Sequence, residues 1–560
     1  MRIRFQRTPT LKTIFLFFCI SLLMCYGVNA GWLNYFITFF IGLLFIILTF
    51  KWRERYSRNF LTPNNGPKAR WATLREFQRG NNFDPASRYY DAPGIYIGGH
   101  FTRQKHTHSV VIAGAGTGKT SNLAIPQLLL KPYGSYVVTD IKGEIAYITA
   151  RCQKYIFGQR VYILDPFDLQ HDLGATHGIK SSGFNPLAYI SKRPDELRDS
   201  ADVIAYSLVP DKPGEREPFW TSRSRALVRT ILLHILTGRP KEEHNFYSLY
   251  KALRLDPDSW VSYLHEMKKN PALDGIISIA AEEFLGILEA GNTWVGIRSN
   301  AQDGTAIFES PQLRNFFQRN DFDPDSLSDG DVTVYLVLPE RYIDTHYTWL
   351  RMMLSMCIKA VNAKPNNPVQ FELDEFPVCK KMPDVQRAFS FGRGQNLYMR
   401  IYAQSISALR ELYGDDGVNG FISNSAVMQC FGGLRDLPSR EMFSKLLGEN
   451  EVIKTSESFG NSYSQQGNSW SENTSHQIQK EPLLAPDKIA EIDGIITIAD
   501  GWKYIIPKCP YYKNLYEGLS IDTPWLYKEE INIMKSGRLP VDPFYELFKQ
   551  RADPMPNRNI

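Results

Sequence analysis

Lys119 and Thr120 close the run Ala113-Gly114-Ala115-Gly116-Thr117-Gly118-Lys119-Thr120, which follows the apolar stretch Ser109 to Ile112. A strand that stops on glycines and opens a helix leaves several backbone N–H groups aimed at one point. The helix N-terminus adds its partial positive charge there. Such a loop cradles a polyphosphate, with Lys119 reaching the β- and γ-phosphates and the Thr120 hydroxyl holding Mg²⁺. Ala113 stands where the pattern usually has glycine, a variant the loop tolerates. These residues predict a site for a nucleoside triphosphate, ATP with Mg²⁺.

A phosphate loop needs a second element to orient the metal ion and a water. The run Val369 to Glu375 ends in Asp374-Glu375 after an apolar-leaning strand. Asp374 is expected at the Mg²⁺ shell through water, and Glu375 beside the attacking water, which makes hydrolysis the expectation and not mere binding. Arg393 sits on a glycine-flanked turn, Phe391 to Gly394. From there an arginine reaches a neighbouring subunit's γ-phosphate as a finger, or is a solvated loop residue. Gln404 ends the strand Leu397 to Ala403 and is read either as a γ-phosphate sensor or as an ordinary strand-end glutamine. Asp140 to Glu144 closes the next strand after the loop, at the carboxyl edge where ligands bind α/β sheets, and a solvated turn fits it equally.

The elements around these residues alternate. Short β-rich runs at Ser135–Thr139, Arg160–Leu164, Thr333–Leu338, Val369–Leu373, Leu397–Tyr402, Ala426–Phe431 and Gly494–Ile498 are separated by helical patterns. This predicts an α/β fold with a largely parallel sheet wrapped by helices. From about Pro186 to Phe322 no strand pattern stands out, and helical stretches such as Ala226–Leu236 and Ile276–Leu288 predict an all-α insertion. Ser456 to Gln479, rich in Ser, Asn, Gln and Gly, reads as an exposed mobile loop. The proline-rich end reads as a tail.

The N-terminus differs in kind. Thr13–Ala30 and Leu33–Phe50 are nearly charge-free stretches of roughly 18 residues, long enough to cross a bilayer. Arg2, Arg4, Arg7 and Lys12 precede the first, and Lys51, Arg53, Arg55 and Arg58 follow the second. Basic flanks at both ends predict a two-helix hairpin with both ends cytoplasmic. The run Val28-Asn29-Ala30 also resembles a signal-peptide cleavage site. Cleavage would change the anchor but not the side on which the nucleotide site lies.

Composition adds bounds. A chain of 560 residues predicts two or three domains. The net charge of +5 is too mild to identify a nucleic-acid binder. The seven cysteines are scattered without a Cys-x-x-Cys pair, so neither a zinc site nor a disulfide framework is indicated.

The order of these motifs resembles the type IV secretion coupling proteins, the TraG/TraD-like conjugative DNA-transfer ATPases. The resemblance runs over most of the chain: the paired N-terminal spans, Ala113–Thr120, Asp140–Glu144, Phe184–Leu187, Glu217–Trp220, Leu373–Pro377, Arg393, Gln404 and Leu484–Ile489. It implies a RecA-like P-loop NTPase domain at 101–185 and 323–530. An all-α domain at 186–322 is implied too, with a membrane hairpin at 1–58, a stem at 59–100 and a tail at 531–560. It implies a homo-hexamer in the bacterial inner membrane with its ATPase domain in the cytoplasm. Lys119, Asp374, Glu375, Arg393 and Gln404 would form its inter-subunit ATP site. Partners implied are inner-membrane components of the secretion channel and a relaxase–single-stranded DNA substrate, or secreted effector proteins. The chain departs from the family in its very short external loop between the two spans. Arg223, Arg225 and Arg229 in the insertion are read as a solvated helix face or as phosphate contacts.

Overall fold

The computed structural model describes residues 69–72, 97, 108–130, 134–175, 177–211, 218–464, 467–499 and 501–508. The expected membrane hairpin, most of the stem and the tail lie outside the described residues. Among those described, no helix is long and apolar enough to cross a membrane.

Ten strands form one sheet. In chain order they are β1 (His108–Ile112), β2 (Ser135–Asp140), β3 (Arg160–Leu164), β4 (Ser181–Ser182), β5 (Val332–Val337), β6 (Val369–Leu373), β7 (Leu397–Ala403) and β8 (Ser425–Phe431), then β11 (Ile495–Ala499) and β12 (Trp502–Ile506). Their order across the sheet is β12-β11-β8-β1-β7-β6-β2-β5-β3-β4. From β8 to β4 all pairings are parallel, whereas β11 runs antiparallel to both β8 and β12. The central strands β1, β2, β5, β6 and β7 are buried at every position. Helices cover both faces of a parallel sheet, so its strands are mainly apolar. Two charged side chains buried among them are paired: Glu372 accepts from the Tyr402 hydroxyl and Arg400 donates to Gln429 Oε1, each at 2.9 Å. The sheet is therefore mixed, with β4 and β12 additions to the strands expected from sequence.

The remaining strands, β9 (Glu449–Ser464) and β10 (Gly467–Pro482), pair with each other in a separate two-stranded sheet. This corrects the expectation of a mobile loop at 456–479. Ser, Asn and Gln supply little aliphatic alternation, so the period-two signal that marks a half-buried strand is missing. A two-stranded ribbon needs none of it for its backbone ladder.

Between β4 and β5 the described residues are helical or irregular, as expected. Helix 219–238 packs on helices 197–208 and 292–305, and helix 257–268 on 276–289. Aromatic pairs lock this region, with Trp260 edge-on to Trp294 at 4.9 Å and Phe246 stacked on Phe308 at 4.6 Å. One apolar core runs from the sheet (Val137, Leu336, Phe371) into these helices (Leu227, Trp260, Ile297). The 21-residue helix 343–363 bridges them, with thirteen residues buried, and packs on helix 197–208.

Candidate nucleotide site

The strand order builds the site. β1 and β6 both pair with β7, so the loop after β1 and the acidic pair after β6 open at the same carboxyl edge, on either side of the residue that follows β7. The phosphate loop leaves β1 with the Ala113 N–H donating to the Ala403 carbonyl at 2.9 Å. Gly116 and Gly118 take left-handed conformations (φ 71° and 90°) that let the chain turn back on itself. A Cβ on Gly118 would stand 2.7 Å from Asn122 Nδ2, which donates to the Gly118 carbonyl at 2.8 Å. Thr117 Oγ1 donates to the Gly114 carbonyl at 2.7 Å. These contacts brace the loop from within, while Ala115 and Gly116 are exposed.

The helix that follows begins as a π-turn, Thr120–Ala124, with the Ile125 N–H donating to the Thr120 carbonyl. Pro126 stands next and has no N–H to continue an α-ladder. A wider first turn is how π-bulges accommodate such a gap.

Lys119 is buried and reaches across to the acidic pair. Its Nζ contacts Glu375 Oε1 and lies 3.8 Å from Asp374 Oδ1. Asp374 is itself buried. That burial, opposed by the Lys119 charge, raises its carboxyl to about 6. Asp374 Oδ1 has no hydrogen-bond partner, so a carboxylate oxygen is left over for a cation shell. Thr139 Oγ1, from the neighbouring β2, donates to the Asp374 carbonyl at 2.9 Å and fixes the end of β6. Glu375 adopts a left-handed backbone (φ 49°, ψ 46°), which turns its side chain out of the strand direction. Gln404 Nε2 lies 3.4 Å from Glu375 Oε2. Lys119, Asp374, Glu375 and Gln404 thus meet at one edge, with Thr120 at the mouth of the loop.

Asp140 to Glu144 lies at the same edge but is not a solvated turn throughout. Asp140 is buried, accepts the Ala146 N–H at 2.7 Å, and has its carboxyl raised to about 7, chiefly by burial. Gln170 Nε2 donates to the Gly143 carbonyl at 2.9 Å and anchors the turn. Lys142 is exposed, and its charge acts on Asp374.

Arg393 does not join the others. It lies in the turn Gly392–Gln395 at the amino end of β7, exposed, with Nη2 3.4 Å from the Asn424 carbonyl. The seven residues of β7 alone span roughly 23 Å at about 3.3 Å per residue. The insertion arginines are held by acidic neighbours: Arg223 by Glu283, Arg225 by Asp211, and Arg229 by Asp202 at 3.0 Å. The triplet is thus neither a simply solvated helix face nor a set of arginines without partners, since each is ion-paired within the chain.

Two contributors have no sequence signal. Thr139 is one residue among many β-branched positions. Arg351, in helix 343–363, is buried and donates through Nη1 to the carbonyls of Cys379 at 2.7 Å and Lys381 at 2.8 Å.

A phosphate loop, a buried aspartate at the end of a nearby parallel strand and an adjacent glutamate define a P-loop NTPase of RecA-like fold. Residues 70–535 match the family described as "Type IV secretory system Conjugative DNA transfer", and the chain belongs to that family. It is 23% identical over 396 residues to "Conjugal transfer protein TraG" of Agrobacterium fabrum (strain C58 / ATCC 33970), covering 68% of this chain and 56% of the relative. To "Protein VirD4" of Rhizobium radiobacter it is 25% identical over 463 residues, covering 80% and 64%. The chain thus spans between about half and two thirds of the length of these curated relatives. Among solved structures, the plasmid coupling protein TrwB in complex with ADP and Mg²⁺ superposes with a TM-score of 0.59 at 17% identity, covering 80% of this chain and 96% of that one. TrwB with the non-hydrolysable analogue ADPNP gives the same TM-score. At this identity the likeness is one of fold.

Proposed function

We propose that this protein is an ATPase that couples a relaxase–DNA substrate to a type IV secretion channel in conjugation. The observation that carries the reading is the convergence of Lys119, Asp374, Glu375 and Gln404 at one sheet edge in a chain of this family. Relatives named for conjugal transfer support the DNA cargo, and the TrwB complexes support ATP and Mg²⁺.

The residues present fit that ligand. The backbone N–H groups of Gly114 to Thr120 and the Lys119 ammonium bind phosphate oxygens. The Thr120 hydroxyl and Asp374 would hold Mg²⁺, which neutralises phosphate charge when bound. Without nucleotide, Lys119 rests on Glu375; phosphate competes for Lys119 and releases the glutamate to accept a proton from water. Gln404 donates to Glu375 and keeps it aimed.

Arg393 lies too far along β7 to reach its own Lys119. It acts on a neighbouring subunit's nucleotide, in a homo-hexamer with sites between subunits. The reading is completed by a membrane hairpin at 1–58 with a stem at 59–100, an NTPase domain at 101–185 and 323–530, an all-α cargo-facing domain at 186–322, and a C-terminal tail. The anchor places the ATPase on the cytoplasmic side of the inner membrane, beside channel components.

The test is a mating assay with Glu375→Gln, scored separately for a mobilisable plasmid and for secreted proteins. Loss of plasmid transfer supports the reading. Undiminished plasmid transfer rejects a motor role, and loss confined to protein export rejects DNA as the cargo.

A further inference from the structure

The turn that carries Glu375 is held in a conformation its own sequence disfavours. Glu375 is left-handed, and five residues on Lys380 has φ 56° and ψ −162°. That is a region essentially reserved for glycine, yet the position carries a lysine. Such geometry persists only when the surroundings over-determine it. Arg351 is what over-determines it. Its Nη1 holds the carbonyls on both sides of Lys380, Cys379 at 2.7 Å and Lys381 at 2.8 Å. Its Nε holds a third carbonyl, Ser207, at 3.3 Å, in the last turn of helix 197–208 within the helical interval. Tyr413 completes the clamp: its hydroxyl accepts the Met382 N–H at 2.9 Å and lies 3.4 Å from the Lys380 carbonyl.

An arginine buried this deeply carries a charge out of water, and three carbonyls of ordinary backbone are a costly way to neutralise it. Packing alone would favour an apolar residue among Leu350, Met352 and Met353. What arginine supplies is a rigid planar fork that fixes several carbonyls at once.

We propose that Arg351 is a positioning residue for Glu375. It holds the strained 376–381 turn, and so the aim of the glutamate, and it ties that turn to the end of helix 197–208. The proposal rests on Glu375 acting on the hydrolytic water. Its expected signature is kinetic: the residue shapes turnover and leaves nucleotide affinity alone, because Arg351 does not touch the phosphate loop.

The experiment is steady-state ATP hydrolysis and equilibrium binding of a fluorescent ATP analogue, on the full-length protein, for Arg351→Lys. Lysine keeps the charge but cannot span the three carbonyls. The expected result is a kcat lowered about tenfold with analogue affinity within twofold. Adding Lys380→Gly to this variant should restore kcat to at least half of wild type, because glycine adopts the clamped conformation unaided. Adding Lys380→Ala should not, because alanine keeps the Cβ. An unchanged kcat in Arg351→Lys, or equal rescue by glycine and alanine, overturns the proposal. Should Arg351→Lys fail to fold, Tyr413→Phe removes the other half of the clamp and should lower kcat about threefold; no change there overturns it as well. A wild-type protein without ATP hydrolysis would instead defeat the reading of Glu375 itself.

Discussion

Gln404 Nε2 stands 3.4 Å from Glu375 Oε2, although the two residues end different strands. The contact follows from strand order: β7 separates β1 from β6, so whatever follows β7 must lie between the phosphate loop and the acidic pair. Gln404→Ala should therefore lower kcat for ATP by about tenfold or more, the order expected when a group acting in the transition state is removed, and leave KM nearly unchanged. Parallel kcat and KM measurements check this; a rise in KM alone would place Gln404 in nucleotide binding.

Glu375→Gln should abolish the proton-accepting function without disturbing the loop. Hydrolysis is expected to fall by about 10²–10⁴-fold, the usual contribution of a general base. ATP should remain bound, and trapped nucleotide measured after gel filtration should rise. Lys119→Ala should do the opposite and abolish binding. It should also lower the melting temperature of the nucleotide-free protein, because Asp374 and Glu375 lose the cation that balances them.

Arg393 gives a test of the ring. Lys119→Ala and Arg393→Ala proteins should each be inactive alone. Mixed before assembly, they should recover part of the activity, because some interfaces then pair an intact Lys119 with an intact Arg393 of the neighbour. Absence of recovery in mixed oligomers, verified by differential tagging, would mean that Arg393 serves its own subunit or none.

His177 predicts a pH dependence of stability. Its Nε2 faces Gln170 Oε1 at 3.1 Å and its Nδ1 accepts the Ile179 N–H at 3.2 Å, so both nitrogens are committed in the neutral ring. Burial, with the Lys154 charge adding to it, pushes the imidazole down to about 4. A folded state that refuses a proton is stabilised, relative to the unfolded chain, above the ordinary histidine value near 6.5, and loses that stability as pH falls toward 4. Melting temperatures should decline across this window, and His177→Gln should decline less steeply. Because Gln170 anchors Gly143, amide exchange in the 140–144 turn should rise over the same range.

The candidate nucleotide site was largely legible because a phosphate loop leaves so few choices: glycines where φ must be positive, a lysine and a hydroxyl at set offsets, an acidic pair after an apolar-leaning strand. The central strands were legible for a related reason, since burial on both faces favours short runs rich in β-branched, aromatic and other apolar residues, even where Glu372 or Arg400 interrupts them. β9 and β10 were not, because their ladder is made by backbone while their composition is that of a loop. Arg351 was invisible for a different reason. Between Leu350 and Met352 it looks like one polar residue on a long helix, and nothing in the spacing says that carbonyls from two distant segments converge on it. Arg393 was readable as a turn residue, but its distance from Lys119 is a property of β7 that only the fold supplies.

That distance has a mechanical meaning. One rigid seven-residue strand carries Gln404 at one end and leads from the Arg393 turn at the other. In a ring built as proposed, the end that monitors a subunit's own phosphate and the end that completes the next subunit's site belong to the same stiff rod. A displacement at one cannot be absorbed by slack before it arrives at the other. Firing would then travel around the ring in order, each discharge setting the timing of its neighbour, much as an escapement releases one tooth at a time.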